Sequence, residues 1–303
     1  MKALVSSSNG PQLTELDPPI ITHPHEVLVD IQTAGICRTD LYAAKGLIPL
    51  EDGITLGHEA AGRIATIGSS VTNLQVGDSV VINPLRSCQK CELCNMGKPH
   101  LCSHSQFMGL DFSGAFCESV VLPSHEVFRL PANLTFPIGA YTEPLAATRA
   151  ILESSLKPTD QILVYGEGRI ADLTHRVLLQ EGFQNLTLSG NTNHLRCFDA
   201  IVEATSEPLK IKEAIHQINP GGLLILKSRT PEDLNLPILS LIQKRVRIES
   251  VYYSDFTEAL EYVVADQDWL DQLIGRSYQL ADFEAAFAEA EKSEAHKTFF
   301  TFS

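Results

Sequence analysis

Long apolar runs are missing from this chain: no uninterrupted stretch of its 303 residues reaches the ~18 that a membrane-spanning helix needs. The opening MKALVSSSNG also lacks the apolar centre of a secretory signal. The expectation is therefore a soluble, cytoplasmic protein with no membrane partner. Positive charge is scarce as well. Lys and Arg number 23 against 37 Asp and Glu, a formal net charge of −14. That balance argues against nucleic acid or an anionic membrane surface as the main partner, because both demand clustered Lys and Arg. Repeats, low-complexity segments and obvious flexible linkers are absent too.

What is present is an ordinary globular composition, 44% apolar and 20% charged, with 19 glycines and 16 prolines. The length suffices for two domains and more than one core. Seven cysteines suit metal ligands or free thiols in a reducing compartment better than disulfides.

Up to about residue 130 the apolar runs are short and bounded by Gly and Pro. KALVSS, EVLVDIQTAG, GRIATIG, DSVVIN, CESVVLP and HEVFRLP each predict a strand, hence a β-rich, barrel-like domain. From Ala140 the pattern changes. TEPLAATRAILESSL has helical periodicity, QILVYG is a buried strand, and RIADLTHRVLLQEG is a helix closed by Gly182. NLTLSG, FDAIVEAT and VRIESV are further strands, EPLKIKEAIHQI is a helix, and PGGLLILK is a turn and strand. Strands alternating with helices predict a mostly parallel sheet. The tail, from SDFTEALEYVV, returns to amphipathic helix and ends in the apolar strand KTFFTF.

Two groups of residues have metal-ligand character. CQKCELCNMGKPHLC sets Cys88, Cys91, Cys94 and Cys102 at spacings that close a tetrahedral zinc shell with no open position. An iron–sulfur cluster is the rival occupant, and the spacing alone does not separate the two. Elsewhere, AGICRTDLYAAKG holds Cys37, Thr39 and Asp40, LGHEAAG holds His58 and Glu59, and YTEPLAA holds Glu143. A thiolate, an imidazole and a carboxylate make a mixed shell able to keep one position open, as catalytic zinc requires. Singly each has a plain structural explanation: a buried small thiol, a hydrogen-bonded histidine, a helix-capping glutamate.

Gly166, Gly168 and Ala171 spell G-x-G-x-x-A at a strand-to-helix transition, the pattern of a phosphate-binding turn. About 20 residues further on, the carboxylate that would grip an NAD ribose is absent. The residues there are Ser189, Gly190, Asn191, Thr192, Asn193, His194, Leu195 and Arg196. A hydroxyl and an Arg are compatible with a 2′-phosphate, hence NADP, and equally with weak adenosine binding. Asn191, Arg196, Thr205 and Lys227 to Arg229 are candidate cofactor contacts by position.

Taken together, GICRTDLYAAKG, TLGHEAAGRIATIG, VGDSVVINP, the cysteine lobe, GAFCESVVLP, TEPLAA, LVYGEGRIA, NPGGLLILK and YQLADFEAAFAEA resemble the zinc-dependent medium-chain dehydrogenase/reductases. That is the alcohol and polyol dehydrogenase superfamily, here in its sorbitol- and sugar-dehydrogenase-like branch. The resemblance covers nearly the whole chain in the family's order. It implies an α/β plus β fold. A GroES-like catalytic domain would be made by 1–138 and 254–303, with a structural zinc lobe. A Rossmann-type domain, 139–253, would be shortened at 190–198. Relatives carry more chain there, so the outer third strand is expected to be lost, leaving strand order 2-1-4-5-6.

By the same resemblance Cys37, His58, Glu59 and Glu143 match the catalytic zinc site, and Cys88, Cys91, Cys94 and Cys102 the structural one. Asp40 matches a carboxylate that orients the ligating imidazole, Thr39 a proton-relay hydroxyl, and Arg38 a cofactor pyrophosphate contact. Tyr42 stands where many relatives have a relay histidine; a phenol is a poorer base at neutral pH. The implied activity is reversible hydride transfer between NAD(P) and a polyol, sugar or related secondary alcohol. Two zinc ions per chain are implied, with NADP favoured by the missing carboxylate and a dimer or tetramer of identical chains as the assembly. The alternative is a catalytically inactive zinc-containing scaffold that keeps the fold without normal cofactor binding.

Overall fold

Apolar side chains alternating with polar ones build the strands of the first half of the chain, and amphipathic helices alternate with apolar strands in the second. The computed structural model describes residues 1–189, 197–293 and 295–302. In chain order these form β1 (Lys2–Val5), β2 (Gln12–Glu15), β3 (Glu26–Gly35), α1 (Arg38–Ala44), β4 (Glu59–Ile67), β5 (Ser79–Ile82), β6 (Leu85–Arg86) and α2 (Glu92–Asn95). Then come β7 (Gln106–Phe107), β8 (Ser119–Pro123), β9 (Val127–Arg129), α3 (Phe136–Ala140) and α4 (Thr142–Arg149). Next are β10 (Ile162–Tyr165), α5 (Arg169–Gln180), β11 (Leu186–Leu188), β12 (Phe198–Glu203), α6 (Pro208–Ile215), β13 (Ile218–Leu226), α7 (Ile238–Lys244) and β14 (Arg247–Ser250). The tail adds α8 (Phe256–Ala265), α9 (Gln267–Asp271), β15 (Ile274–Gln279), α10 (Phe283–Lys292) and β16 (Lys297–Thr301). No helix among the described residues is long and apolar enough to cross a membrane.

One unit comprises Met1–Leu145 with Asp255–Ser303, the other Ala146–Ser254. The chain passes from the first to the second inside α4, since α3 still packs on β3, β4 and β5.

The first unit is organised by a seven-stranded sheet of order β15-β16-β3-β4-β5-β9, with β8 also paired to β3. Val27, Val29 and Ile31 on one face of β3 are fully or almost fully buried, and join Ile64, Phe116 and Phe300 in its core. β16, from the far end of the chain, inserts between β15 and β3. The tail therefore completes the sheet begun near the N-terminus, and it delivers Lys297 to the sheet's interior.

The second unit is a five-stranded, wholly parallel sheet of order β11-β10-β12-β13-β14. This is the order expected for a dinucleotide fold lacking its third strand, with β11 at the edge among the described residues. Helix α5 has a strongly one-sided apolar stripe. Ala171, Leu173, Val177 and Leu178 are buried, and Gly182 follows it with φ +85. One element differs from the sequence reading. β13 begins at Ile218 and runs through Pro220–Gly222, where a turn was expected. A register shift opposite Phe198 and Ala200 absorbs the extra residues, with Gly221 at φ +79.

Candidate metal centres and cofactor turn

The first cluster is built by one carboxylate at the start of a helix. Asp40, the third residue of α1, accepts the N–H of Cys37 (2.8 Å) and of Gly57 (3.2 Å). Its Oδ1 also lies 3.3 Å from Nδ1 of His58. Asp40 thus ties the beginning of α1 to the turn that precedes β4. That turn requires glycine: Gly57 has φ +92, and a Cβ there would overlap the Phe116 ring. The outcome is that Cys37 Sγ, a His58 ring nitrogen and a Glu59 carboxylate oxygen all lie within 4.8 Å of one another.

His58 is fully buried, and neither ring nitrogen has a hydrogen-bond partner. The Asp40 oxygen is close to Nδ1 but out of line for a hydrogen bond. A desolvated imidazole with nothing to bond is costly; a metal ion at this cluster would satisfy it. Burial alone would lower the proton affinity of His58. The Asp40 carboxylate and Cys37 outweigh that burial and hold the imidazole well above its usual 6.5. A field that attracts a proton attracts a metal cation too, and the two compete for the same nitrogen.

Around this cluster, Thr39 is buried with Oγ1 3.8 Å from Cys37 Sγ. Tyr42 is half-buried one turn further along α1, and Arg38 is exposed. Glu143 is buried in the first turn of α4 but does not join the group of ligand atoms within 4.8 Å. A cavity of about 550 Å³ opens beside the C-terminal end of α1, lined by Ser6, Asn9, Ala44, Ile48 and Leu50 among others.

Lys297 escaped the sequence reading. Its ammonium forms an ion pair with Glu59 Oε2, with side-chain exposures of only 4% and 2%. Nζ also sits 3.5 Å from the Ile36 carbonyl and 5.9 Å above the Tyr141 ring. The signal was available: KTFFTF is an apolar strand that opens on a charge.

The second cluster is the cysteine lobe. Cys88, Cys91, Cys94 and Cys102 have sulfurs within 4.8 Å of one another, with Cys91 3.5 Å from Cys94 and 3.8 Å from Cys102. The sulfur–sulfur edge of a tetrahedron around one ion with bonds of about 2.3 Å is about 3.8 Å. A cluster of several irons would spread the thiolates further apart, so the spacing favours a single ion. Backbone N–H groups of Cys88, Cys91 and His104 point at cysteine sulfurs at 3.3–3.4 Å. The Cys94 N–H draws Cys91 down to about 6. Cys94 is pushed up to about 11 by loss of water and by its hydrogen bond with Cys91. Four adjacent thiolates repel one another, and a divalent cation relieves that repulsion. Arg86 tethers the lobe, reaching Glu126 at 2.8 and 3.2 Å and lying 3.8 Å over the Phe112 ring.

In the second unit, the turn after β10 holds the expected glycines. A Cβ on Gly166 would strike the Ala204 carbonyl at the end of β12, and Gly168, with φ +84, opens α5. Ala171 is buried against the sheet. Ser189 stands where a ribose-binding carboxylate would be expected: its Oγ accepts the Gly166 N–H (3.2 Å) and donates to the Gly166 carbonyl (2.8 Å). A cavity of about 390 Å³ lies at this corner, lined by Tyr165, Glu167, Ser189, Lys210 and Glu213 among others. Asn191 and Arg196 lie outside the described residues.

At the opposite end of the crevice the N–H of Thr205 donates to Glu203 (2.7 Å). Arg229 donates to the Tyr253 hydroxyl (3.1 Å) and stacks 4.6 Å from the Tyr252 and Tyr253 ring centres. Glu203 itself was also missed, although it is a charge that closes the apolar run AIV after Asp199 has opened the strand.

Comparison with known proteins follows the same division. Residues 23–132 match the alcohol dehydrogenase GroES-like domain family. D-xylulose reductase A of Aspergillus oryzae is 26% identical over an alignment covering 92% of this chain and 90% of that protein. Among solved structures, a provisionally assigned zinc-binding dehydrogenase of Sinorhizobium meliloti 1021, bound to NADP, superposes with TM-score 0.87 at 21% identity, covering 99% of each chain. Galactitol-1-phosphate dehydrogenase of Escherichia coli gives 0.84 at 23% identity, covering 100% of each. At those identities the solved structures speak for the fold, a GroES-like domain with a Rossmann-type parallel sheet. Residues 23–132 thus form a GroES-like domain of the alcohol dehydrogenase type, and over nearly its full length the chain is similar to alcohol and polyol dehydrogenases.

Proposed function

We propose that the chain is a zinc-dependent dehydrogenase that moves a hydride between a polyol, sugar or related secondary alcohol and NAD(P), with NADP preferred. One observation carries the reading: a fully buried imidazole with both nitrogens unsatisfied, gathered with a thiol and a carboxylate beside a buried threonine hydroxyl. Cys37 and His58 would hold the catalytic ion. With Glu59 held by Lys297, the carboxylate ligand is Glu59 or Glu143. Cys88, Cys91, Cys94 and Cys102 would hold a structural ion.

Zinc bound at the first site supplies Lewis acidity to a substrate hydroxyl, and a bound nicotinamide supplies the hydride acceptor. The chain's own residues do the rest. The Asp40 carboxylate, 3.3 Å from Nδ1, would orient the His58 imidazole once an ion is bound. Thr39 Oγ1 accepts the hydroxyl proton of the substrate while passing on its own, and Tyr42 Oη is the next hydroxyl along α1. Gly166 and Gly168 keep the turn free of side chains so that backbone N–H groups and the start of α5 meet the pyrophosphate. Arg38 is a further candidate contact for it. The neutral Ser189 hydroxyl, in place of a carboxylate, lets a 2′-phosphate approach without repulsion; the NADP bound to the Sinorhizobium meliloti protein is in keeping with this preference.

The polyol class rests on the likeness to D-xylulose reductase. The protein works in the cytoplasm, where its thiols stay reduced. Identical chains pair through the outer edge of β14, beside which α7 exposes Ile238, Leu239 and Ile242. No observation favours the inactive-scaffold alternative. Titrating zinc-loaded protein with NADPH and NADH by fluorescence, then assaying a panel of polyols, tests the reading. It predicts saturable binding, tighter for NADPH, and polyol-dependent reduction of NADP⁺. Absence of both binding and turnover would contradict it.

A further inference from the structure

A heavily hydrogen-bonded carboxylate in the second unit belongs to Glu203, at the last position of β12 and 1% exposed. Its Oε1 accepts the N–H of Thr205 (2.7 Å), the N–H of Ser206 (3.0 Å) and the hydroxyl of Ser228 (2.7 Å). Its Oε2 accepts the N–H of Ser228 (3.0 Å) and, more distantly, that of Lys227 (3.4 Å). All five partners are donors, the arrangement an anionic carboxylate takes. One side chain thereby joins the loop after β12 to the loop after β13.

The joined loops are under constraint. Ser206 is one of three described non-glycine residues with positive φ, at +59. Its N–H is shared between Glu203 Oε1 and the Ser228 hydroxyl at 3.1 Å. A left-handed serine persists only where its surroundings over-determine it, and here Glu203 and Ser228 do so.

The position of this clamp matters more than its strength. The chain leaves β10 through α5 toward β11 on one side, and leaves β12 through α6 toward β13 on the other. The switch point between β10 and β12 is where a parallel sheet of this type takes its ligand, outside the carboxyl ends of the strands. The Gly166 turn and the Ala204 carbonyl abut there. The pyrophosphate belongs at the start of α5 and the adenosine ribose at the end of β11. The other nucleotide then falls to the ends of β12 and β13, which are the loops that Glu203 joins.

We propose that Glu203 is a positioning residue that shapes the nicotinamide side of the crevice, and that its buried negative charge favours the oxidised, cationic nicotinamide over the reduced, neutral one. This rests on the reading that the unit binds a nicotinamide dinucleotide. Removing the charge weakens the oxidised form selectively, whereas a purely structural role affects both forms alike. At an effective dielectric constant of about 20, two unit charges still interact by about 1.4 kcal/mol, about tenfold in relative affinity, across a gap of about 12 Å, so a charge on the next loops over is enough to discriminate the two forms.

The test uses the full zinc-loaded chain and measures Kd for NADP⁺ and NADPH in the unaltered protein, in Glu203→Gln and in Ser228→Ala. Glu203→Gln is expected to raise the oxidised-to-reduced Kd ratio about tenfold. Ser228→Ala keeps the charge and removes one donor that offsets it, so the ratio is expected to fall; this arm decides the matter if Glu203→Gln does not fold. An unchanged ratio in Glu203→Gln, or a rise in Ser228→Ala, overturns the inference while leaving the dinucleotide reading intact. Failure of the unaltered protein to bind either form overturns that reading and the inference with it.

Discussion

Replacing Lys297 with methionine removes the cation from the Glu59 pair while keeping much of the side chain's volume. Both partners are almost fully desolvated, at 4% and 2% exposure, so solvent cannot take over the role of the lost ammonium. An isolated buried carboxylate created in this way costs about 3–5 kcal/mol. For a folding unit of about 150–250 residues, each kcal/mol lowers the melting temperature by about 2–4 °C, so the expected fall is roughly 6–20 °C. Thermal or urea unfolding of metal-stripped protein reads this directly. The loss should shrink when zinc is restored, because a nearby divalent cation offers Glu59 a second partner. Adding Glu59→Gln to Lys297→Met should recover most of the stability, because the uncompensated charge is then gone. If the two single variants each cost under about 1 kcal/mol and the double variant is simply their sum, the pair is behaving like an exposed ion pair and the reasoning fails.

Thiol titration with zinc bound should give one fast-reacting cysteine, the exposed Cys197, while buried Cys117, pushed up to about 12 by its burial, stays silent. Chelation should then release the other five, Cys37, Cys88, Cys91, Cys94 and Cys102. Asp40→Asn should weaken zinc binding at the first cluster by about 10–100-fold, measured by competition with a chromophoric chelator, since the Asp40 carboxylate holds the Cys37 N–H and lies 3.3 Å from His58 Nδ1. Burial raises the Glu126 carboxyl above 4.5, with Arg86 holding it back only in part. The folded state then binds that proton more tightly than the unfolded one, so this contribution to stability is present at low pH and is lost as pH rises through the raised value. The unfolding midpoint of Glu126→Gln should accordingly gain on that of the unaltered protein as pH climbs above 4.5, and a constant difference across that range would contradict the assignment.

The clustering of the four lobe cysteines was legible because it is local. Four cysteines within fifteen residues, and Cys37 three positions from Asp40, carry their geometry in their spacing, as one turn of helix or one tight loop brings them together. The parallel sheet was legible for a similar reason: each strand and helix announces itself by its own periodicity, and the short bridge after β11 implied a missing strand. Long-range pairing was not legible. Lys297 meets Glu59 only because β16 lies beside β3, which in turn pairs with β4, a fact of sheet order rather than of any motif. Glu203 was invisible because four of its five partners are backbone N–H groups, which every sequence has. The Pro220–Gly222 turn was misplaced because a bulge depends on the register of the neighbouring strand. A motif placed Glu143 with Cys37, His58 and Glu59, but spacing along the chain does not say how far its carboxylate reaches.

Metal analysis of the purified chain and of Cys37→Ser by mass spectrometry puts the central claim to its most direct test. The account predicts two zinc ions per chain in the unaltered protein. In the variant it predicts one, still held by Cys88, Cys91, Cys94 and Cys102. An equal metal content in the two proteins, whether one ion or two, would contradict a catalytic zinc at Cys37 and His58.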